Sequence, residues 1–347
     1  MKNASNPIIE LLRSIFGLSL VVFILISFIA ALLVVSQLEI PAPLQEKEQM
    51  AQVETPKADF RLIKEDGIWQ APDWASVELA PNAEQIRYGK ELVAHTSEYL
   101  GPKGKVLQIS NGMNCQNCHL EAGTAPLGNN FSAVAANYPK IRSRSGLSEG
   151  IPKRINDCFQ RSLNGEGLDP ESKEMKAMVA YMEWLGKDVK KGDRPLGVGL
   201  YKVPFLERAA DPIRGKTVYD NQCYSCHGTE GQGLKNPSGT AYLYPPLWGP
   251  DSYNNGAGLF RLSKFSGYVK ANMPLGATYE RPLLSDVEAW DLAAYVNSMS
   301  RPSKDLSGDW PDISKKPMDH PFGPYSDDFS ETQHKYGPFQ PILALQK

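Results

Sequence analysis

The sequence Cys-X-X-Cys-His occurs twice, as Cys115-Gln-Asn-Cys118-His119 and Cys223-Tyr-Ser-Cys226-His227, and takes four of the five cysteines in a chain of 347 residues. Two thiols at this spacing can each form a thioether to one vinyl group of a haem, while the adjacent histidine ligates the iron from the proximal side. Paired CxxC knuckles around one zinc ion, or two structural disulfides, would use the same cysteines. The histidine after each pair favours two covalently attached c-type haems, and the separation of the motifs divides the chain into two haem domains.

The fifth cysteine, Cys158, has no thiol partner left. A thiolate on the distal side of the first haem would donate charge to the iron and lower its reduction potential; a buried free cysteine acting as a small hydrophobe is the alternative. Met175 lies at a comparable separation from His119, but Met175, Met178 and Met182 recur at helical spacing with Val179 and Leu185, the pattern of a core stripe. For the second haem, His227 opens the segment His-Gly-Thr-Glu-Gly-Gln-Gly, and Met273, followed by Pro274, is the expected distal ligand. A thioether favours ferrous iron more than a thiolate does, so electrons should run from haem 1 to haem 2. Asn272 reads as a loop hydrogen-bonder. His95, His320 and His334 read as surface or hydrogen-bonded residues, with His95 the competitor to Cys158.

Formal net charge is −2 and no basic block occurs, which argues against nucleic acid as a partner. An acidic small-molecule substrate needs only a local cluster of arginines. Ile15 to Val35 carries no charged side chain and is long enough to span a bilayer. Lys2 and Arg13 precede it and Glu39, Glu46 and Glu48 follow, so an uncleaved anchor with a cytoplasmic N-terminus is expected in preference to a cleaved signal peptide. The globular part then lies in the periplasm or on the outer face of the membrane.

The expected organisation is a cytoplasmic N-terminus (1–14), a transmembrane signal-anchor (15–35) and a flexible tether rich in Pro, Glu, Gln and Lys (36–72). A catalytic N-terminal cytochrome c domain (73–191), an interdomain linker (192–205), a C-terminal electron-transfer cytochrome c domain (206–301) and a tail packed on the domains (302–347) follow. A first helix is expected from Asn82 to about Tyr99. The closing helix of the first domain should be capped by Asp169 with Pro170 in its first turn and end at Gly186. Ser285 and Glu288 form a capping box for the closing helix of the second. No strand-period stretch appears, so the fold class is all-α: two tandem class I cytochrome c-like domains after an N-terminal transmembrane helix.

Around Cys158 the chain reads Arg154-Ile-Asn-Asp-Cys158-Phe-Gln-Arg161-Ser162-Leu-Asn164-Gly165. This resembles the diheme thiosulfate dehydrogenase family, whose members also act as tetrathionate reductases. The likeness runs from Trp69-Gln-Ala-Pro-Asp through both haem motifs to Pro317-Met-Asp-His-Pro-Phe-Gly-Pro and His334-Lys-Tyr-Gly-Pro-Phe. It implies His119 and Cys158 as axial ligands of a catalytic haem, substrate contacts from Arg144, Arg154 and Ser162, and oxidative coupling of two thiosulfates to tetrathionate or the reverse. The implied redox partner is a c-type cytochrome or a membrane quinol-linked complex. Some members carry Lys directly before the distal methionine of the second haem; here that position is Asn272, so Met273 should ligate in both redox states. The competing readings are a membrane-anchored electron relay and a Cys-ligated subunit of a larger sulfur-oxidising complex.

Overall fold

The computed structural model describes Ile8, residues 16–19, 23–25 and 27, and residues 67–345. The chain divides into two compact units, Met1–Ala58 and Asp59–Lys347. Six α-helices of eleven residues or more are found among the described residues: α1 Ala83–Ala94, α2 Ile151–Arg161, α3 Lys173–Leu185, α4 Pro212–Gln222, α5 Leu262–Asn272 and α6 Asp286–Ser298.

Local chemistry explains where these helices begin. Ser285 and Glu288 close a capping box at the start of α6, and Asp211 accepts from the backbone of Ile213 and Arg214 ahead of α4, whose first residue is Pro212. α3 departs from the expected start. Asp169 accepts instead from Glu171 N in a turn, and Ser172 caps the helix through its bond to Met175 N. The expected helix from Asn82 to Tyr99 is broken at His95 into α1 and a short helix, Thr96–Leu100. At the break the Thr96 hydroxyl donates to the Leu92 carbonyl at 2.7 Å, the back-bonding that bends helices.

The two haem segments repeat one packing solution: α1 lies on α3, and α4 lies on α6. A Cβ on Gly89 would stand 2.0 Å from the Ala177 carbonyl oxygen, and one on Gly215 would stand 1.9 Å from that of Asp291. Only glycine permits these two backbones to approach so closely, at a cost of about 1 kcal/mol in helix propensity at each position. Around the crossings sit Leu92, Met178 and Tyr181 on one side and Tyr219, Trp290 and Val296 on the other, all essentially inaccessible to water.

Two expectations are corrected. The fold is not purely helical: antiparallel hairpins pair β1 Lys140–Ile141 with β2 Ser148–Glu149, and β3 Leu234–Lys235 with β4 Tyr242–Tyr244. Strands of two or three residues are too short for an alternating pattern to register. The transmembrane helix is also withdrawn from the fold class, because among the described residues no helix is long and apolar enough to cross a membrane. The rest of the segments expected over 1–14, 15–35 and 36–72, apart from residues 67–72, lies outside the described residues.

The haem segments are joined by specific contacts. Tyr268 on α5 donates to the Asn117 carbonyl inside the first motif at 2.7 Å, and Asn254 donates to Gln160 O and Asn164 Oδ1, each at 2.9 Å. The C-terminal segment adds short helices Glu331–Tyr336 and Gln340–Leu345. Between them Phe339 packs on Phe205 and Trp290, with ring centres 5.5 and 5.6 Å away.

Candidate functional site

The first motif lies on a short 3-10 turn, Cys115–Asn117, boxed by reciprocal bonds between Asn114 and Asn117. Thr96 Oγ1 accepts from Cys115 N at 3.0 Å, so the break after α1 also holds the motif. His119 Nδ1 is 2.6 Å from the Asn129 carbonyl oxygen. A carbonyl can only accept, so Nδ1 carries the proton and Nε2 keeps its lone pair for a metal. Burial pushes the His119 imidazole down to about 4, against the Asn129 bond and with help from the Arg154 charge; the ring is neutral, as a ligand must be. Burial pushes the Cys115 and Cys118 thiols up to about 12.

One cavity, with about 1160 Å³ of empty space and part of it open to solvent, is lined by Cys115, Cys118, His119, Arg154, Cys158 and Ser162 among others. Thiols, a neutral imidazole and a further thiol around apolar walls fit a thioether-bound haem. α2 supplies part of the cavity wall. Arg154 and Cys158 are one turn apart on it, with Arg154 Nη1 2.8 Å from Cys158 Sγ, and Ser162 caps its C-terminus through a bond to the Cys158 carbonyl. The adjacent Cys158 sulfur raises the Arg154 guanidinium above its ordinary range despite burial. Met178 and Met182 of the apolar stripe also line the cavity, while Met175 is fully buried in the core.

A cleft adjoins this cavity and shares His119, Arg154, Cys158 and Ser162 with it. Arginines and a lysine surround the cleft, and they divide by partner. Asp309 takes Arg144 at 2.8 Å and Arg161 through two bonds of 2.8 and 2.9 Å; Asp319 takes Arg261. Arg144 also stacks over Trp310 at 4.5 Å. Its charge is committed, unlike that of Arg154. Arg142, Arg194 and Lys264 also line the cleft, and sequence reasoning did not single them out: they lie on separate loops and on α5, with no shared motif. The one available signal was basic residues without an acidic neighbour at helical or turn spacing.

In the second motif His227 Nδ1 is 2.8 Å from the Pro245 carbonyl oxygen, so Nε2 is again left for a metal. Burial lowers this imidazole as well. Met273 is the C-cap of α5 and is half-buried against the core. Asn272 beside it donates to Leu127 O at 3.2 Å and Tyr268 O at 2.9 Å. No disulfide joins the five cysteines, and no group of three or more metal-ligating side chains forms among the described residues, which argues against both the disulfide and the shared zinc arrangement. His95 is exposed beside Glu91. His320 packs on Trp310 and Phe322, and His334 is held by Met318 O and Asp327.

The SoxA/TsdA cytochrome c domain family matches residues 106–190, around the first motif, and the cytochrome c family matches 213–300, around the second. The chain therefore carries two covalently bound haem c groups. It is 35% identical over 241 residues to a thiosulfate dehydrogenase of Stutzerimonas stutzeri, covering 68% of this chain and 74% of that protein. It is 40% identical over 198 residues to one of Allochromatium vinosum, covering 56% and 72%. A solved thiosulfate dehydrogenase (TsdBA) from Marichromatium purpuratum superposes with a TM-score of 0.61 at 30% identity, over 68% of this chain and 50% of that one. A cysteine and a histidine on the walls of one haem cavity, with cations opening onto it, agree with these likenesses: the chain belongs to the thiosulfate dehydrogenase family of diheme c-type cytochromes.

Proposed function

We propose that this protein couples two thiosulfate dianions into one tetrathionate dianion with release of two electrons, 2 S2O3(2−) → S4O6(2−) + 2 e−, and runs the reverse reaction under reducing conditions. Each bound haem supplies a one-electron acceptor, so two match the electrons released. Cys115 and Cys118 are assigned as thioether attachments of the first haem, with His119 and Cys158 as its axial ligands. Cys223 and Cys226, with His227 and Met273, are assigned the same roles at the second.

The observation that carries this reading is the placement of Arg154 and Cys158 on one turn of α2, facing both the haem cavity and the cationic cleft. Two dianions about 5 Å apart repel by roughly 3 kcal/mol even at the dielectric constant of water, and by more in a cleft. Fixed cations are therefore a requirement of the chemistry. The Arg154 guanidinium presents a planar fork to sulfonate oxygens, and Ser162 adds a neutral hydrogen bond. Arg144, paired to Asp309, is assigned to shaping the wall of the cleft and adding to its positive field.

The two haem domains are assigned to 73–191 and 206–301, with 192–205 between them and 302–347 as the tail; the matched family regions fall inside these limits. We assign the haem domains to the periplasm, with a c-type cytochrome as redox partner.

The test uses the protein loaded with both haems, following ferricyanide reduction by thiosulfate and, separately, oxidation of reduced viologen by tetrathionate. Turnover in either supports the sulfur chemistry. Silence in both, with two haems confirmed, would leave an electron relay.

A further inference from the structure

We propose that Lys264, with Arg194 beside it, forms a second anion subsite that receives the second thiosulfate, or equally the far sulfonate of tetrathionate, across the cleft from Arg154 and Ser162. This deepens the activity proposed above and rests on it.

Among the described residues, some cations of the cleft have a carboxylate partner and others have none. Asp309 serves Arg144 and Arg161, and Asp319 serves Arg261. Asp157, the acid that lines the cleft, is paired to Lys153 outside it. Arg142 donates to the Tyr138 hydroxyl, which carries no charge. Among the described residues neither Arg194 nor Lys264 has a carboxylate partner, yet both face the same cleft. Like charges gathered without a counter-ion are unfavourable, and the neighbours record it. Lys264 is depressed first by burial and then by Arg261, with Lys202 and Arg194 adding to it against Asp319. Lys140, which lines the adjoining cavity, is depressed by burial and then by Arg142, Arg194 and Arg154. An incoming dianion would relieve this excess, and the coupling reaction must bring in two of them.

Position decides which anion each group serves. Arg154 and Ser162 border both the haem cavity and the cleft, so they serve the anion nearest the reacting sulfur. Lys264 borders the cleft and is not among the residues lining the cavity. It stands in the first turn of α5, in the second half of the chain, so the subsite is complete only when the two haem segments are docked. A four-carbon stem with a mobile ammonium suits an anion that must arrive, react and leave. Arg194 lines both spaces, so a carboxylate of the haem itself is its rival partner; Lys264 is the residue on which the inference turns.

The experiment compares wild type, Lys264→Gln and Lys264→Arg as full-length protein carrying two haems. It measures the KM for thiosulfate in the ferricyanide assay together with the visible spectrum and reduction potentials of both haems. Loss of one charge-assisted contact should raise KM about tenfold in Lys264→Gln, with spectra and potentials unchanged, and Lys264→Arg should return KM to within about twofold of wild type. An unchanged KM in Lys264→Gln overturns the subsite while leaving the activity in place. A raised KM accompanied by a shifted haem potential also overturns it, by assigning Lys264 to the cofactor. Silence of wild type with two haems present ends the activity reading and the subsite together.

Discussion

Arg154 Nη1 lies 2.8 Å from Cys158 Sγ, one helical turn along α2, so a permanent positive charge is held directly against the sulfur assigned to the first haem. Replacing Cys158 with Met should keep both haems, measured as pyridine haemochrome, and abolish thiosulfate turnover; near-normal rates would remove Cys158 from the chemistry. Arg154→Ala should lower kcat/KM for thiosulfate by about a hundredfold, since a charge-assisted contact and a counter-charge are lost together. An unchanged value would place the guanidinium outside the substrate site.

Gly89→Ala and Gly215→Ala are expected to act alike, because each new methyl would stand about 2 Å from a carbonyl oxygen of the partner helix. The helices must then separate, which we expect to cost about 3 kcal/mol in each case. Thermal melts of the two variants should show similar losses in Tm. A neutral effect in either would show that its crossing can loosen freely.

Asp309 bridges two arginines at once, with side-chain exposures of 11% for the acid and 16% and 13% for Arg144 and Arg161. Asp309→Ala strands both charges and should destabilise the fold by about 3 kcal/mol in denaturant unfolding. Restoration of stability by adding Arg161→Met to Asp309→Ala would identify the unpaired charge, rather than lost packing, as the cause.

Burial holds the His320 imidazole down to about 3, with the Lys316 charge contributing. The unfolded chain takes up this proton near the ordinary value of about 6.5. Below that pH the unfolded state binds more protons than the folded one, so stability should fall as pH drops from about 6.5 to about 3, by roughly 5 kcal/mol in total. His320→Gln should flatten that part of the stability profile. An unaltered slope would assign the acid sensitivity to other groups.

The haem motifs, the Ser285–Glu288 capping box and the cap at Gly186 were legible in the sequence because each is written within a few neighbouring residues. The cap at Ser172 was missed since Asp169 obeys the same local rule, and only the packed structure decides between them. Gly89 and Gly215 could have been noticed: a glycine inside a helical pattern costs about 1 kcal/mol and so invites a packing reason. Arg142, Arg194 and Lys264 were out of reach because a cleft assembled from two loops and a helix has no linear signature. The membrane span expected over Ile15–Val35 was read from composition alone.

Both motif histidines are oriented by backbone oxygens, Asn129 O for His119 and Pro245 O for His227. A main-chain acceptor survives almost any substitution at its own position, because every residue type carries the same carbonyl. The tautomer of each motif histidine is therefore insulated from point mutation and answers only to changes that move the loop. Keeping the imidazole turned the same way then asks little of the identity of the surrounding residues.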